Sequence, residues 1–338
     1  MYVRRNFDFK GITEFTGFHI LWLTAYGALA AFLYHSLELS FLAIPSLAVS
    51  LVGTAVAFYV GFKNNSSYDR LWEARKIWGA IVNDSRSFAI GCKNLIENTD
   101  KENKEILRKL VYRHIGWLYT LRAQLLKPAP WEHIQGNLLL RLVAQRRIRE
   151  RGTGLYSMEA NDRTLAKFLD ETEFEEIKKM KNMATHLIDW QSKTLAELHK
   201  KGNLNDFQHI NLQDILYRFY DHQGKNERIK NYPFPRQYAS MSFFFVGIFI
   251  LILPFGVMPV VEKTMEISIW WSVLFSVLVS WVFLMMELVG DYSENPFEGM
   301  VNDIPMLSIC RTIEIDLREM LGETDIPPKI EPKNDVLM

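Results

Sequence analysis

The sequence predicts an all-α integral membrane protein with four transmembrane helices and a large helical domain outside the bilayer. Two observations indicate this class. Nearly uncharged apolar runs, each long enough to cross a bilayer, occur at four places, and a central block is dense in Lys, Arg, Glu and Asp. Because 39 basic residues balance 39 acidic ones, the net charge indicates no partner class, and only the distribution of charge is informative.

The four apolar runs are predicted to be transmembrane helices. About 20 apolar residues span the hydrocarbon core, and backbone amides in lipid must be hydrogen-bonded within the segment. The runs are Thr16–Tyr34, Leu39–Phe62, Tyr238–Val261 and Ile267–Met286. Short links join them into two hairpins, and the basic residues concentrate on the other side. This pattern predicts that both termini and the central block are cytoplasmic, and we expect no cleavable signal peptide.

The central block is predicted to be helical from its three- and four-residue apolar spacing. The expected helices are Tyr68–Ile96, Lys104–Leu126, Asn137–Glu150, Glu171–Lys200 and Asp206–His222. Ser66, Ser67 and Asp69 suit the first turn of the first helix as caps, and Gly224 is expected to follow the last helix. Prolines beyond about Gly322 predict a loose C-terminal tail.

These elements divide the chain into four parts. Residues 1–63 hold the N-terminal segment and the first two transmembrane helices, and residues 64–232 form the cytoplasmic helical domain. Residues 233–290 hold the last two transmembrane helices, and residues 291–338 form a cytoplasmic C-terminal segment and tail.

The sequence contains no motif of an enzyme, a cofactor site or a metal site. It has no glycine-rich phosphate loop, no HExxH and no GxSxG, and Cys92 and Cys310 are predicted to be ordinary reduced thiols. The basic cluster Arg146-Arg147-Ile148-Arg149 is interpreted as a solvated or membrane-facing patch. We therefore expect no catalysis, no cofactor, no bound metal and no nucleic-acid partner.

The second apolar run carries a row of residues at every fourth position: Ser46, Ser50, Thr54, Phe58 and Phe62. Residues four apart lie on the same face of a helix, so this row forms a slanting stripe with hydroxyls at its outer end and phenyl rings at its inner end. Such a stripe would line a pore if several copies surrounded an axis. Small residues at this spacing also allow close helix packing, so the spacing leaves both readings open. The helix is expected to continue without a break into the cytoplasmic domain.

Three segments, in order, resemble signatures of the bestrophin family and of its bacterial members in particular. They are GFKNNSSYDRLWEARKIWGAIVNDSR (Gly61–Arg86), NERIKNYPFPRQY (Asn226–Tyr238) and ENPFEGMVNDIP (Glu294–Pro305). The resemblance covers about residues 1–320. It implies a homopentameric channel in the bacterial inner membrane, whose partners are copies of itself, the lipid bilayer and the permeant monovalent ions.

The resemblance also implies positions for the pore. The hydrophobic neck falls at Thr54, Phe58 and Phe62, so Ser46 and Ser50 would line the outer pore. The resemblance further implies a cytoplasmic constriction near the start of the helix before Gly224, at Phe207 or Ile210.

Two departures from the family pattern have consequences. Thr54 stands where an apolar residue is usual, so the outer end of the neck is expected to wet more easily. The acidic run by which animal members bind calcium is reduced here to Glu298-Gly299-Met300-Val301-Asn302-Asp303. Because calcium needs six to eight oxygen ligands, we expect no calcium gating of that kind.

The permeant ion is expected to be an anion such as chloride, and a sodium-like monovalent cation is the alternative. Phenyl edges are positive and would favour an anion, whereas phenyl faces are negative and would favour a cation. Lys63 and Arg70 are expected to raise the local anion concentration, whereas Asp69 and Glu73 on the same helix oppose this. A transporter is disfavoured because the spans carry no mid-membrane carboxylate. A membrane-anchored scaffold is disfavoured because the central block shows no docking module.

Overall fold

The structure is a computed structural model of the chain, and it describes residues 1–6, 9–96, 101–133, 158–264 and 268–338. The predicted helix Asn137–Glu150 and its cluster Arg146–Arg149 lie outside the described residues. The described chain is built from α-helices, with no strand longer than an isolated bridge. These helices are α1 (Phe9–Ala31), α2 (Ser46–Leu95), α3 (Lys101–Leu126), α4 (Met158–Leu165), α5 (Glu171–Ile177), α6 (Met183–Lys200), α7 (Asp206–Asn231), α8 (Arg236–Thr264), α9 (Trp271–Asp291) and α10 (Met306–Met320).

Four segments of the described chain are long and apolar enough to cross a membrane. They are Phe15–Ser36, Ser40–Leu95, Arg236–Lys263 and Trp271–Asp291. The prediction of an all-helical chain with four long apolar helices is therefore confirmed. Pro254 and Pro259 lie inside α8 without ending it, because neighbouring helices in a membrane protein can satisfy the backbone groups that proline frees.

The chain divides into two compact units. The span unit comprises Arg4–Arg70 and Pro233–Glu294, and the amphipathic unit comprises Met1–Val3, Leu71–Tyr232 and Asn295–Met338. In the span unit, α9 packs on α1 and α8. In the amphipathic unit, α6 packs between α3 and α7, and α10 packs on α3. The largest buried side chains of this second core include Trp78, Trp117, Phe88 and Phe219.

The sequence prediction of one helix over Glu171–Lys200 is wrong. Two helices occupy this range, α5 and α6, and each has its own N-terminal cap. Asp170 accepts a hydrogen bond from the backbone of Glu173, and Asn182 accepts one from the backbone of Thr185. Each cap satisfies a backbone donor that would otherwise have no partner, typically stabilising a helix start by about 1 kcal/mol.

Two predicted helix boundaries are also wrong. Ser66, Ser67 and Asp69 cap nothing, because α2 is one continuous helix of 50 residues that passes through them. Helix α7 does not end before Gly224 but continues to Asn231. A glycine inside a helix costs only about 1 kcal/mol relative to alanine. The buried residues that follow it in α7, which include Asn226 and Ile229, offset that cost.

The C-terminal tail is not loose, contrary to the expectation from its prolines. Val336 is 2% exposed, and the backbone carbonyl of Met338 accepts a hydrogen bond of 2.7 Å from the amide of Ser308. Lys333 and Val336 pair with each other through their backbones. The prolines set an extended path, but burial of the last apolar residues holds that path against the amphipathic unit.

Candidate pore-forming helix

The described part of the span unit fixes which face of α2 is packed and which is not. Val49, Val56 and Val60 are buried in one cluster with Phe249, Ile250 and other residues of α8. Two glycines permit the close approach, since a methyl group on Gly53 would lie 2.7 Å from the ring of Phe249. A methyl group on Gly256 would lie 2.6 Å from Val49.

The predicted stripe lies on the unpacked side of α2. Ser46, Ser50 and Thr54 are exposed in the single chain, and the phenyl rings of Phe58 and Phe62 are 78% and 69% exposed. On a membrane-spanning helix, such rings contact either lipid or another protein surface. The structure thus places all five predicted residues on one uncovered face, and the identity of what faces them stays a prediction.

Two of the three hydroxyls of the stripe are bonded to their own helix. Ser50 donates its hydroxyl hydrogen to the carbonyl of Ser46 at 2.9 Å, and Thr54 donates to the carbonyl of Ser50 at 2.9 Å. This back-bonding uses the donor of each hydroxyl and leaves the oxygen lone pairs free. In this arrangement the upper stripe presents acceptors rather than donors.

A buried ion pair just after Phe62 was missed by sequence reasoning. Lys63 and Glu287 are each 2% exposed, and the ammonium nitrogen of Lys63 lies 2.5 Å from a carboxylate oxygen of Glu287. Ser242 of α8 donates a hydrogen bond to the other oxygen of Glu287. The expectation that Lys63 raises the anion concentration is therefore wrong, because its charge is buried and neutralised within the chain.

Two further polar contacts hold α2 in the same part of the span unit. The side-chain amide of Asn64 donates to the carbonyl of Met286 at 3.0 Å, and Arg70 donates to the carbonyl of Glu294 at 2.8 Å. Helix α9 continues to Asp291, whereas the predicted fourth run, Ile267–Met286, ended one residue before Glu287. The charge of Glu287 at the end of an apolar run was the one signal that could have indicated the ion pair. The sequence prediction instead used that charge to end the run.

The candidates for the cytoplasmic constriction lie at the start of α7 in the amphipathic unit. Phe207 is 87% exposed and Ile210 is 57% exposed. Asn205 and Gln208 form a reciprocal capping box around this helix start. The cap fixes the first turn, so both apolar side chains are held outward on a rigid element.

The acidic segment after α9 uses its carboxylates internally. Asp303 accepts hydrogen bonds from the backbone amides of Glu298 and Met300 at 2.8 and 2.9 Å, and Glu298 contacts His133 at 2.9 Å. Burial, aided by the charge of Glu298, raises the pKa of Asp303 to about 7. Among the described residues, no three His, Cys, Asp or Glu side chains are grouped to hold a metal ion.

Comparison with known proteins identifies relatives over most of the chain. A family model described as bacterial and fungal bestrophin protein matches residues 15–319. The voltage-dependent anion channel-forming protein YneE of Escherichia coli (strain K12) is 27% identical over 283 residues, which cover 84% of this chain and 79% of that protein. A voltage-dependent anion channel-forming protein of Nostoc sp. is 25% identical over 287 residues, covering 85% of this chain and 78% of that one.

A solved structure shares the fold. A bacterial bestrophin homologue from Klebsiella pneumoniae superposes with a TM-score of 0.75 at 22% sequence identity, covering 91% of this chain and 98% of that chain. At this identity the likeness concerns the arrangement of helices, and the residues of the stripe must be argued from this chain itself.

The Lys63–Glu287 pair yields a stability prediction. Lys63→Met leaves a buried carboxylate without its counter-charge, which costs about 3–5 kcal/mol in comparable buried pairs. We expect a large drop in the thermal unfolding midpoint of the detergent-solubilised protein. The double variant Lys63→Met/Glu287→Met removes both charges and is expected to recover most of the loss. Lys76→Met, at an exposed position of α2, is the control, and an equal effect there would contradict the assignment.

The raised pKa of Asp303 yields a prediction on pH. Between its unfolded pKa near 3.8 and its folded pKa of about 7, the folded state binds a proton that the unfolded state has lost. Stability conferred by this group is therefore present at low pH, falls as the pH rises towards 7, and is constant above it. Asp303→Asn is expected to reduce this slope in thermal unfolding from pH 5 to 8. The exposed Asp214→Asn is expected to keep it; identical slopes in all three proteins would refute the prediction.

Proposed function

The chain belongs to the bacterial and fungal bestrophin family, and we propose that it forms a homopentameric channel for small monovalent anions such as chloride. Copies of α2 surround the pore axis and turn Ser46, Ser50, Thr54, Phe58 and Phe62 towards it. The observation that carries the proposal is the uncovered stripe on a helix whose other face is packed. The relatives from Escherichia coli and Nostoc are known as voltage-dependent anion channel-forming proteins, which supports the choice of ion.

The two phenyl positions form the neck. Five copies of Phe58 and Phe62 give two apolar rings one helical turn apart, about 5.4 Å along the axis. A narrow apolar ring resists wetting, so it blocks ions until it widens or hydrates. Ring edges directed at the axis would favour an anion through their positive rim. Thr54 provides a hydroxyl above these rings, which makes the outer entrance easier to wet.

The cytoplasmic domain completes the pathway in this proposal. The protein lies in a bacterial inner membrane with both termini in the cytoplasm, and Phe207 or Ile210 narrows the cytoplasmic exit. Their exposure on a capped helix start supports a role at an interface or in a lumen. Residues 1–63 and 233–290 supply the transmembrane helices, residues 64–232 the cytoplasmic domain, and residues 291–338 the C-terminal segment.

A monovalent cation channel of the same architecture is the second candidate, and one observation favours it. The hydroxyls of Ser50 and Thr54 donate to their own backbone, so they present lone pairs that suit a cation. The neutralisation of Lys63 also removes a full positive charge that would have favoured anions. Anion selectivity would then depend on phenyl edges alone.

Reversal potentials separate the two candidates. Purified protein in a planar bilayer is expected to give discrete, ohmic single-channel currents in a potassium chloride gradient. The current of an anion channel reverses near the chloride equilibrium potential, because chloride carries the charge. Reversal near the potassium potential would replace the anion proposal by the cation one. Saturating flux without single-channel steps would indicate a transporter, and no flux at all would indicate a scaffold.

Substitutions in the stripe test the neck itself. Phe58→Ala and Phe62→Ala widen an apolar ring, so each is expected to raise the open probability or the unitary conductance severalfold. Leu278→Ala removes an exposed apolar side chain from α9, a helix that does not carry the stripe, and its currents are expected to match those of the unmodified protein. Unchanged currents in both phenylalanine variants would rule the neck out.

A further inference from the structure

A basic cavity in the amphipathic unit has no part in the proposed channel. Its volume is about 640 Å³, and it lies between α3, α4, α10 and the segment that follows α10. The charged residues that line it are Arg108, Arg122, Lys167, Arg311, Arg318, Glu314 and Asp325. Five cations therefore face two carboxylates, an excess of three positive charges among the described lining residues.

Glu314, one of the two carboxylates that line the cavity, is already engaged. Glu314 is buried and accepts from Arg311 at 3.1 Å, from Arg318 at 3.3 Å and from the hydroxyl of Tyr119 at 2.6 Å. Glu323, beside the cavity, accepts from Arg318 at 2.7 Å. These contacts fix two guanidinium groups in position, and Arg108 lies 3.5 Å from Glu323. Among the described residues, Arg122 is then the one arginine of the lining without a carboxylate partner.

Arg122 is the cation without a counter-charge. It lines the cavity from α3, and no residue in the described ranges gives it a hydrogen bond or a carboxylate partner. Burial lowers the pKa of Arg122 below its usual value. A desolvated guanidinium is costly to leave unpaired, and its planar fork matches the geometry of a phosphate or carboxylate group.

A second polar side chain at the cavity also lacks a partner. Asn161 of α4 is 8% exposed, and its side-chain oxygen has no hydrogen-bond partner among the described residues. This oxygen is an acceptor, so it suits a hydroxyl group of a ligand that also carries anionic groups. The opposite wall is apolar, because Tyr119 and Phe168 stack with ring centroids 5.7 Å apart and planes at 8°.

We propose that this cavity binds a small organic polyanion with two or more phosphate or carboxylate groups. Arg122 contacts an anionic group, and the excess positive charge of the wall attracts the others. Asn161 accepts a hydrogen bond from a ligand hydroxyl, and the Tyr119–Phe168 stack receives the carbon skeleton. The volume falls within the range of about 300–1,000 Å³ typical of small-molecule sites. A single chloride ion would leave most of this space and charge unused.

The site includes the segment after α10, so binding has a second consequence. Arg318 donates to the carbonyl of Asp325 at 2.5 Å, and Arg311 donates to the carbonyl of Pro328 at 3.1 Å. The arginines of the cavity therefore hold the backbone of this segment as well as facing the ligand. A bound polyanion is expected to protect residues 321–330 from proteolysis.

Calorimetric titration of the full-length protein in detergent tests the proposal. Pyrophosphate and citrate serve as separate probes at constant ionic strength, with sodium chloride as the reference titration. We expect saturable binding of at least one probe. Arg122→Gln is expected to weaken it about tenfold or more, because it removes the charge-assisted contact. Which probe binds more tightly distinguishes a phosphate ligand from a carboxylate ligand.

Two further variants keep the result interpretable. Arg163→Gln makes the same charge change at an exposed position of α4 outside the cavity, and it is expected to bind as the unmodified protein does. Lys167→Gln removes an exposed charge of the cavity rim, and it is expected to weaken binding a fewfold while leaving the fold intact. No saturable heat with either probe, or equal losses in Arg122→Gln and Arg163→Gln, would overturn the proposal. Ion flux is not measured, so this outcome does not depend on the channel proposal.

Discussion

The rotation of α2 about its own axis is the constraint on which the span unit depends. Lipid tails are as apolar as valine, so burying Val49, Val56 and Val60 against α8 gains little from water exclusion. The close approach at Gly53 and Gly256 supplies shape fit instead. The Lys63–Glu287 pair adds a directional tie, because turning α2 would leave two desolvated charges apart. Packing and charge together thus decide that the stripe is the uncovered face.

The Lys63–Glu287 ion pair also limits which groups along the stripe can select an ion. With Lys63 neutralised inside the chain, no full charge of α2 lies between Ser46 and Phe62. Hydroxyl dipoles and ring quadrupoles then act alone, and these are weaker than a full charge and depend on orientation. A ring turned by a right angle exchanges its positive edge for its negative face. In the proposed neck, the tilt of the Phe58 and Phe62 rings would then decide the sign of the permeant ion.

Local patterns were readable from the sequence, and distant pairings were not. The four apolar runs are features of neighbouring residues, so their length predicted them correctly, and the role of the stripe stays a prediction. Lys63 and Glu287 are 224 positions apart, and nothing local marks them as partners. The break between α5 and α6 depends on a cap at Asn182 that resembles any other polar residue. The packed C-terminal segment likewise follows from tertiary burial of Val336, which composition does not reveal.

Lys63 in the span unit and Arg122 in the amphipathic unit have different surroundings, and we relate this difference to function rather than to stability. Lys63 lies close to the carboxylate of Glu287, which Ser242 also contacts, and 3.9 Å from that of Asp291, which is the arrangement expected of a structural ion pair. The cavity around Arg122 instead concentrates cations whose described carboxylates are already shared. Repulsion among such groups destabilises the empty fold, since like charges in a poorly solvated space are only weakly screened. Neutral side chains of similar size would pack in this wall without electrostatic repulsion. Packing therefore does not explain the cluster of cations, whereas a bound anion that relieves their repulsion does.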